Sequence, residues 1–422
     1  MSVPIAAGDS VFERGGTVAS THDNSGAQLS ATASRYGTGV AAITLTNGDA
    51  TATVLPFQGQ QVWDMTVHKD RADEPRSLTM VSNQRDPIHV NPAEAWGLIN
   101  SYGAFFVHCG GNSLGIPGPE DNHPLHGELP NAQYHEARVV SGEDTRGAFI
   151  GLEGSFEFTR FCSQHWVARP SCRLYAGETM LCISMSITNH FHQPMDLMYM
   201  GHANFAPVAG SQLYYTHECS PEAVRISGSV NGLVAPTPEY EAFLKQLEAD
   251  PSLHNELSAT NLKNFNPEII VFLHNYLSDN DGWAHSLQRH PGGDSADLIK
   301  HKPAQLDKVA RWVVVDPQHR ALGLALPATS EPNGVTAERA KGNVRSLAPG
   351  SSVLFEFEAG AVCGAASVEN AKARIAGILQ ERMGSGRGKS GPSRAGGTQL
   401  AKQPAKQPGK QPARHTLEFL RS

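Results

Sequence analysis

Short runs in which apolar and polar residues alternate, separated by turn signals, recur through most of the 422-residue chain, and they constrain its fold more than any other feature. Ser155-Phe-Glu-Phe-Thr-Arg-Phe161, Met180-Leu-Cys-Ile-Ser-Met-Ser-Ile-Thr188 and Ser352-Val-Leu-Phe-Glu-Phe-Glu-Ala-Gly360 all have this period of two. It puts alternate side chains on opposite faces, the pattern of half-buried antiparallel strands. Val40 to Thr46 ends at Asn47-Gly48, a two-residue hairpin signal, and Thr51 to Leu55 resumes beyond it. Apolar runs at Ile269–Leu273 and Ala310–Val315 read as further strands. Glycine (41) and proline (27) make up about one residue in six, which favours many turns over long helices. Helical patterns are confined to Pro236–Ala259, broken at Asp250-Pro251, and Ser367–Met383. The expectation is an all-β chain, a large antiparallel β-sandwich at 37–383 with a helical insert at about 236–260 and a C-terminal helix at about 367–383. No Pro/Gly/Ser linker divides it. Residues 1–36, rich in Ser, Thr, Gly and Ala, read as a loosely ordered leader.

Composition excludes several classes. With 40% hydrophobic and 18% charged residues the chain is globular, neither collagenous nor wholly disordered. No run approaches the roughly 18 apolar residues of a membrane helix, and Met1–Arg14 lacks a basic stretch followed by an apolar one, so a soluble, cytoplasmic protein without membrane partners is expected. Six cysteines without a CxxC pair point to free thiols. The net charge of −7 is uneven, because the segment 384–422 carries eight basic residues against Glu418 alone. That segment, with its Ala401-Lys-Gln-Pro, Ala405-Lys-Gln-Pro and Gly409-Lys-Gln-Pro repeat, reads as a disordered basic tail. It suits weak polyanion contacts at most, not specific nucleic-acid recognition. Neither a Walker loop nor a GxSxG elbow is present.

The chemistry-bearing residues cluster. His108, His123 and His126 fall in Val107–Asn131, a segment too rich in Gly, Pro and polar residues to be one regular element, and His190, His192 and His202 fall in Thr188–Phe205. The string His123-Pro-Leu-His-Gly-Glu-Leu-Pro-Asn-Ala132, preceded by Gly118-Pro-Glu-Asp121, resembles the aldose 1-epimerase (galactose mutarotase)-like superfamily, in particular its little-characterised aldose 1-epimerase-like branch. His202-Ala-Asn-Phe205, Asn266-Pro-Glu268 with Asp279-Asn-Asp-Gly282, and Gly323–Gly334 before Leu347-Ala-Pro-Gly350 follow in order and are similar to landmarks of that family. The resemblance spans about residues 40–362 and implies a galactose mutarotase-like supersandwich.

It also implies a reaction. Interconverting the anomers of a free sugar requires a base on the anomeric hydroxyl and an acid at the ring oxygen, so that the ring opens and closes from the other face. No cofactor or metal is called for. By this resemblance His202 is the candidate acid and His126 holds or polarises the sugar near the ring oxygen. Glu120, Asp121 and Asn204 are hydroxyl ligands, with His108 a further binding candidate. The family carries a glutamate base on a late strand, expected just before Pro327-Ala-Thr329. This chain has Leu326 there, which leaves Glu331 as a substitute base, or else a protein of the same fold that binds sugar without turning it over. Among the tryptophans, Trp96 and Trp283 are the expected stacking faces and Trp312 is expected to be packing. A rival reading takes His123, His126 and His108 with Glu128 as ligands of a metal-dependent sugar isomerase. Pro124 between two of these histidines and the lack of a second cluster at ligand spacing count against it.

Overall fold

The computed structural model describes residues 1–68, 74–219, 223–227 and 236–386. Among these the strands form two antiparallel sheets, one of nine strands and one of thirteen. The nine-stranded sheet runs from Ser2–Ala6 through Glu136–Asp144, Gly147–Arg160, Gln164–Tyr175, Met180–Asn189, Ser352–Cys363, Ser295–His301 and Ala284–Arg289 to Gln212–Tyr215. In the second sheet, Ile269–His274, Lys308–Val315, Arg320–Ala328, Met195–Ala203, Phe106–Gly111 and Val62–Val67 lie side by side in that order. The expected all-β sandwich is therefore present, and its alternation can be followed residue by residue.

On the Met195–Ala203 strand, Leu197, Tyr199 and Ala203 enter a core that draws on both sheets, where Tyr199 stacks on Phe355 with ring centroids 4.3 Å apart. Met198 and Met200 point the other way, into a second cluster with Val107 and Cys109 of the neighbouring strand. That outer face of the thirteen-stranded sheet is covered by Leu98, Leu114 and Leu125 from the long segment between Val62–Val67 and Glu136–Asp144. One irregularity sets what faces outward. The pairing of Lys308–Val315 with Arg320–Ala328 slips between Ala310 and Trp312, so Leu322 and Leu324 serve the inner core while Leu326 and Ala328 join the outer cluster.

The leader expectation is corrected. Residues 1–36 include the edge strand Ser2–Ala6 and the pair Gly16–His22 and Gln28–Arg35, which extends the thirteen-stranded sheet. Leu29, Ala31 and Ala33 alternate into the main core, and Phe12 is buried with them. Small alanines carry much of this period-two pattern, and among serines and threonines their short side chains mark a buried face only weakly. The Asn47 hairpin forms with Gly48 and Asp49 at its tip. Asn47 Oδ1 accepts from the amides of Asp49 and Ala50, and Gly48 takes φ 89°.

The insert is the helix Pro238–Ala249 followed by the 3-10 turns Pro251–Asn255 and Asn261–Phe265. Thr237 caps it, and Tyr240, Phe243 and Leu247 bury one face. The C-terminal helix Ala365–Gly386 lays Val368 and Ile375 against Leu287 and Leu298, on the outer side of the nine-stranded sheet. None of the six cysteines is in a disulfide. No described helix is long and apolar enough to cross a membrane. Of the basic tail expected at 384–422, residues 384–386 belong to the C-terminal helix and the rest lies outside the described residues.

Candidate active site

Between the outer face of the thirteen-stranded sheet and its covering segment lies a cavity of about 610 Å³, within the range of small-molecule sites. Its sheet-borne wall carries Glu268, Trp312, Met200, His202 and Leu326 from four neighbouring strands or their ends, and the covering segment supplies Trp96, Tyr102 and His126.

His126 is placed by its backbone. Its N–H donates to Gly115 O and its carbonyl accepts from Gly110 N at 2.8 Å, while its φ of 61° lies in the left-handed region, which non-glycine residues rarely adopt. The next residue, Gly127, has φ 84°, and a Cβ there would stand 2.2 Å from Ser113 O. The turn thus fits tightly against the Phe106–Gly111 strand. Nδ1 of His126 is buried without a partner, so Nε2 is the ring nitrogen open to the cavity. Burial, reinforced by the neighbouring His202 and His123, pushes the ring's pKa down to about 3.

His202 stands beside it, ring centroids 5.5 Å apart. Its Nδ1 is 2.8 Å from Asn204 Oδ1, and Asn204 Nδ2 donates to Ala104 O at 3.0 Å. Because the amide nitrogen of Asn204 is committed to a carbonyl, its oxygen faces His202 and Nδ1 carries the hydrogen. Nε2 is then an acceptor, and the Tyr102 hydroxyl donates to it at 3.2 Å. Burial pushes the pKa of His202 down to about 4, against the opposing effect of the Asn204 hydrogen bond. Both imidazoles are therefore neutral at pH 7. Glu268 completes the cluster. It is buried, lines the cavity, and its Oε2 accepts from Trp312 Nε1 at 2.7 Å. Trp312 in turn packs edge-on against His202 and Tyr102.

A family model described as a domain of unknown function (DUF4432) matches residues 37–360. The chain belongs to that family. No curated protein matches it. Among solved structures, a "putative aldose 1-epimerase" from Klebsiella pneumoniae is 17% identical with a TM-score of 0.69, over 90% of this chain and 96% of its own. A galactose mutarotase-like protein from Clostridium acetobutylicum is 14% identical with a TM-score of 0.50, over 76% of this chain and 95% of its own. At such identities the likeness is one of fold. This DUF4432 chain thus shares the fold of these galactose mutarotase-like structures, the fold that the His123–Ala132 string led us to expect.

The structure brings together only part of the residue set that the resemblance implied. His126 and His202 meet at the cavity, and Leu326, at the expected base position, lines it. Glu331 does not. Its side chain is 4% exposed and ion-paired with Arg225, with Lys341 at 2.7 Å and with His274 at 3.2 Å. Burial alone would raise its pKa, but the hydrogen bonds from His274, Lys341 and Arg225 hold it well below the usual carboxylate range. A carboxylate so paired is a poor base.

Asn204 is fully buried and binds His202 and Ala104, so it positions the imidazole and is not placed to take a sugar hydroxyl. Asp121 ties the loop to the helix Val335–Ala340, accepting from Gly118 N and from both the amide and the hydroxyl of Thr336. Glu120 is exposed and outside the cavity lining. His108 faces the inner core. Its Nδ1 lies 2.7 Å from the Tyr199 hydroxyl, its ring packs on Phe106, and burial pushes its pKa down to about 3.

The metal reading is dispersed in the same way. His123 and Glu128 line a separate cavity of about 490 Å³ on the other side of the 123–128 turn. Among the described residues no group of three or more His, Cys, Asp or Glu is arranged to hold a metal ion. The tryptophan expectations are partly reversed. Trp96 lines the cavity, but so does Trp312, whereas Trp283 lies under Lys300 and Lys302. Sequence reasoning missed Tyr102 and Glu268 as site residues. The Asn266-Pro-Glu268 landmark was a signal for the second, since it introduces a carboxylate at the start of a buried strand.

Proposed function

We propose that this protein binds a free aldose in the 610 Å³ cavity and interconverts its anomers by ring opening. The observation that supports this most is the pair of neutral imidazoles, His126 and His202, facing one cavity beside the Glu268 carboxylate. The tautomer of His202 argues for a role different from the acid implied by the resemblance. With Nδ1–H held by Asn204, Nε2 is the accepting nitrogen, so His202 takes the proton of the anomeric hydroxyl once that hydroxyl replaces Tyr102 as its donor, the task that Leu326 cannot perform.

Opening the ring puts negative charge on the ring oxygen. A neutral imidazole polarises such an oxygen by donating an N–H, and His126 presents Nε2 to the cavity for that purpose. The imidazolium formed on His202, strongly acidic in its buried setting, returns its proton on closure. Glu268, oriented by Trp312, accepts from a sugar hydroxyl and fixes the ring against the aromatic walls. Anomer-exchange NMR on a panel of aldoses tests this. Acceleration is expected in the wild type and its loss in His202→Ala, with the fold checked by thermal melting. Sugar binding without acceleration would leave a noncatalytic sugar-binding protein instead.

A further inference from the structure

More of the side chains that line the cavity are apolar than polar. Asn83, Gln84, Ser227, Asn266 and Asn333 contribute polar groups to it, Met80, Leu98, Ile99, Ile270 and Val314 contribute an aliphatic shelf, and among the described residues no lysine or arginine lines it. Its charged groups are the carboxylates of Glu268 and Asp316. Asp316 belongs to a small polar set of its own with His319 and Asn83. His319 Nδ1 is 3.1 Å from Asp316 Oδ2, and His319 Nε2 is 2.9 Å from Asn83 Oδ1. Two polar sets, the imidazole pair with Glu268 and the Asp316 set, thus share the cavity with the aliphatic shelf.

We propose, on the reading given above, that the substrate is a neutral sugar with an apolar flank, namely a deoxy sugar whose CH₃ or CH₂ replaces a hydroxyl and lies on this shelf. Two physical terms support it. A hydroxyl set against these aliphatic side chains would lose its water without gaining a partner from them, which costs more than burying a methyl group in the same place. An anionic sugar, uronate or phosphorylated, would meet two carboxylates and no cationic side chain among the described residues, in surroundings where charges are weakly screened.

The experiment compares sugars of one ring stereochemistry, a hexose, its 6-deoxy analogue, its uronate and its 6-phosphate, in two stereochemical series. Anomer-exchange NMR gives kcat/KM, and saturation-transfer NMR detects binding independently of turnover. The expected result is a kcat/KM for the deoxy sugar at least about tenfold above the hexose, with no saturable exchange for uronate or phosphate. In Val314→Lys, which places an ammonium at the shelf, the deoxy preference is expected to shrink and uronate binding to appear. Equal rates for hexose and deoxy sugar, or faster exchange of the uronate or phosphate, would overturn the inference while leaving the anomerase reading intact. Selective binding of the deoxy sugar without exchange would support the ligand class and refute the reaction. Binding of none of the sugars would overturn both.

Discussion

Asn204→Asp separates the two roles that His202 could take. The substitution keeps an oxygen facing Nδ1 at the 2.8 Å position but gives it a negative charge, which stabilises the imidazolium. An opposite charge at that range moves a pKa by about 1–3 units. From about 4 in the wild type the His202 value would rise to between about 5 and 7. If Nε2 is the base, activity requires the neutral ring, so the wild-type rate is flat from pH 8 to about 5 and falls only near 4. In the variant the falling limb moves up by the same 1–3 units. At pH 5 the neutral fraction drops from about nine-tenths to between about a half and a hundredth, a loss of roughly twofold to ninetyfold. Near pH 8 the two profiles converge. The variant also loses the Asn204 Nδ2 donation to Ala104 O, at a cost of about 1–3 kcal/mol. Thermal melting at pH 8 therefore accompanies the rate measurements, and a histidine NMR titration reads the His202 pKa directly. A raised His202 pKa with an unmoved limb would refute the base assignment. So would a wild-type rate that climbs tenfold per unit as pH falls from 8 to 4, the signature of an obligatory imidazolium acid.

Glu331→Gln is expected to lower stability at pH 7 by about 1–3 kcal/mol, below the roughly 3–5 kcal/mol of a fully buried ion pair, because Arg225 and Lys341 remain about half exposed and can be rehydrated. Anomer exchange should survive. Since Glu331 is held below the usual carboxylate range, its contribution is present above that range and is lost as pH falls through it and below, so wild-type and variant melting temperatures should converge in acid; a constant gap would refute the pairing. Trp312→Phe keeps an aromatic wall but removes the hydrogen bond to Glu268. A loss of about tenfold or more in kcat/KM is expected, as for a bond to a charged group, and an unchanged value would remove Glu268 from the site. Gly127→Ala forces a Cβ to within 2.2 Å of Ser113 O at φ 84°, and destabilisation of about 2 kcal/mol or more, with weakened sugar binding, is expected from calorimetry.

The sandwich was legible because its strands carry the period-two pattern locally. Met180–Asn189 alternates buried and half-buried residues along its whole length, as the sequence of that run implies. The pattern failed where alternation is carried by alanine, as in Ala31 and Ala33, whose burial comes from fitting against neighbours more than from apolar size. At the site the same distinction applies to orientation. That His126 and His202 share a cavity could be inferred from a resemblance, but the role of His202 depends on which way one buried amide points, and a string such as His202-Ala-Asn204 gives the same letters for a sugar ligand and for a tautomer lock. Glu331 and Glu268 show the other limit. Both are buried carboxylates near strand ends, 63 positions apart, and only the slip in pairing between Lys308–Val315 and Arg320–Ala328 decides what lies outward. That slip turns Leu326 into the cavity, two strands from Glu268, while Glu331 falls beyond the strand among Arg225, His274 and Lys341. The carboxylate that lines the cavity is therefore that of Glu268, at the end of a strand two places across the sheet from the one that bears Leu326, a neighbourhood that linear spacing does not encode.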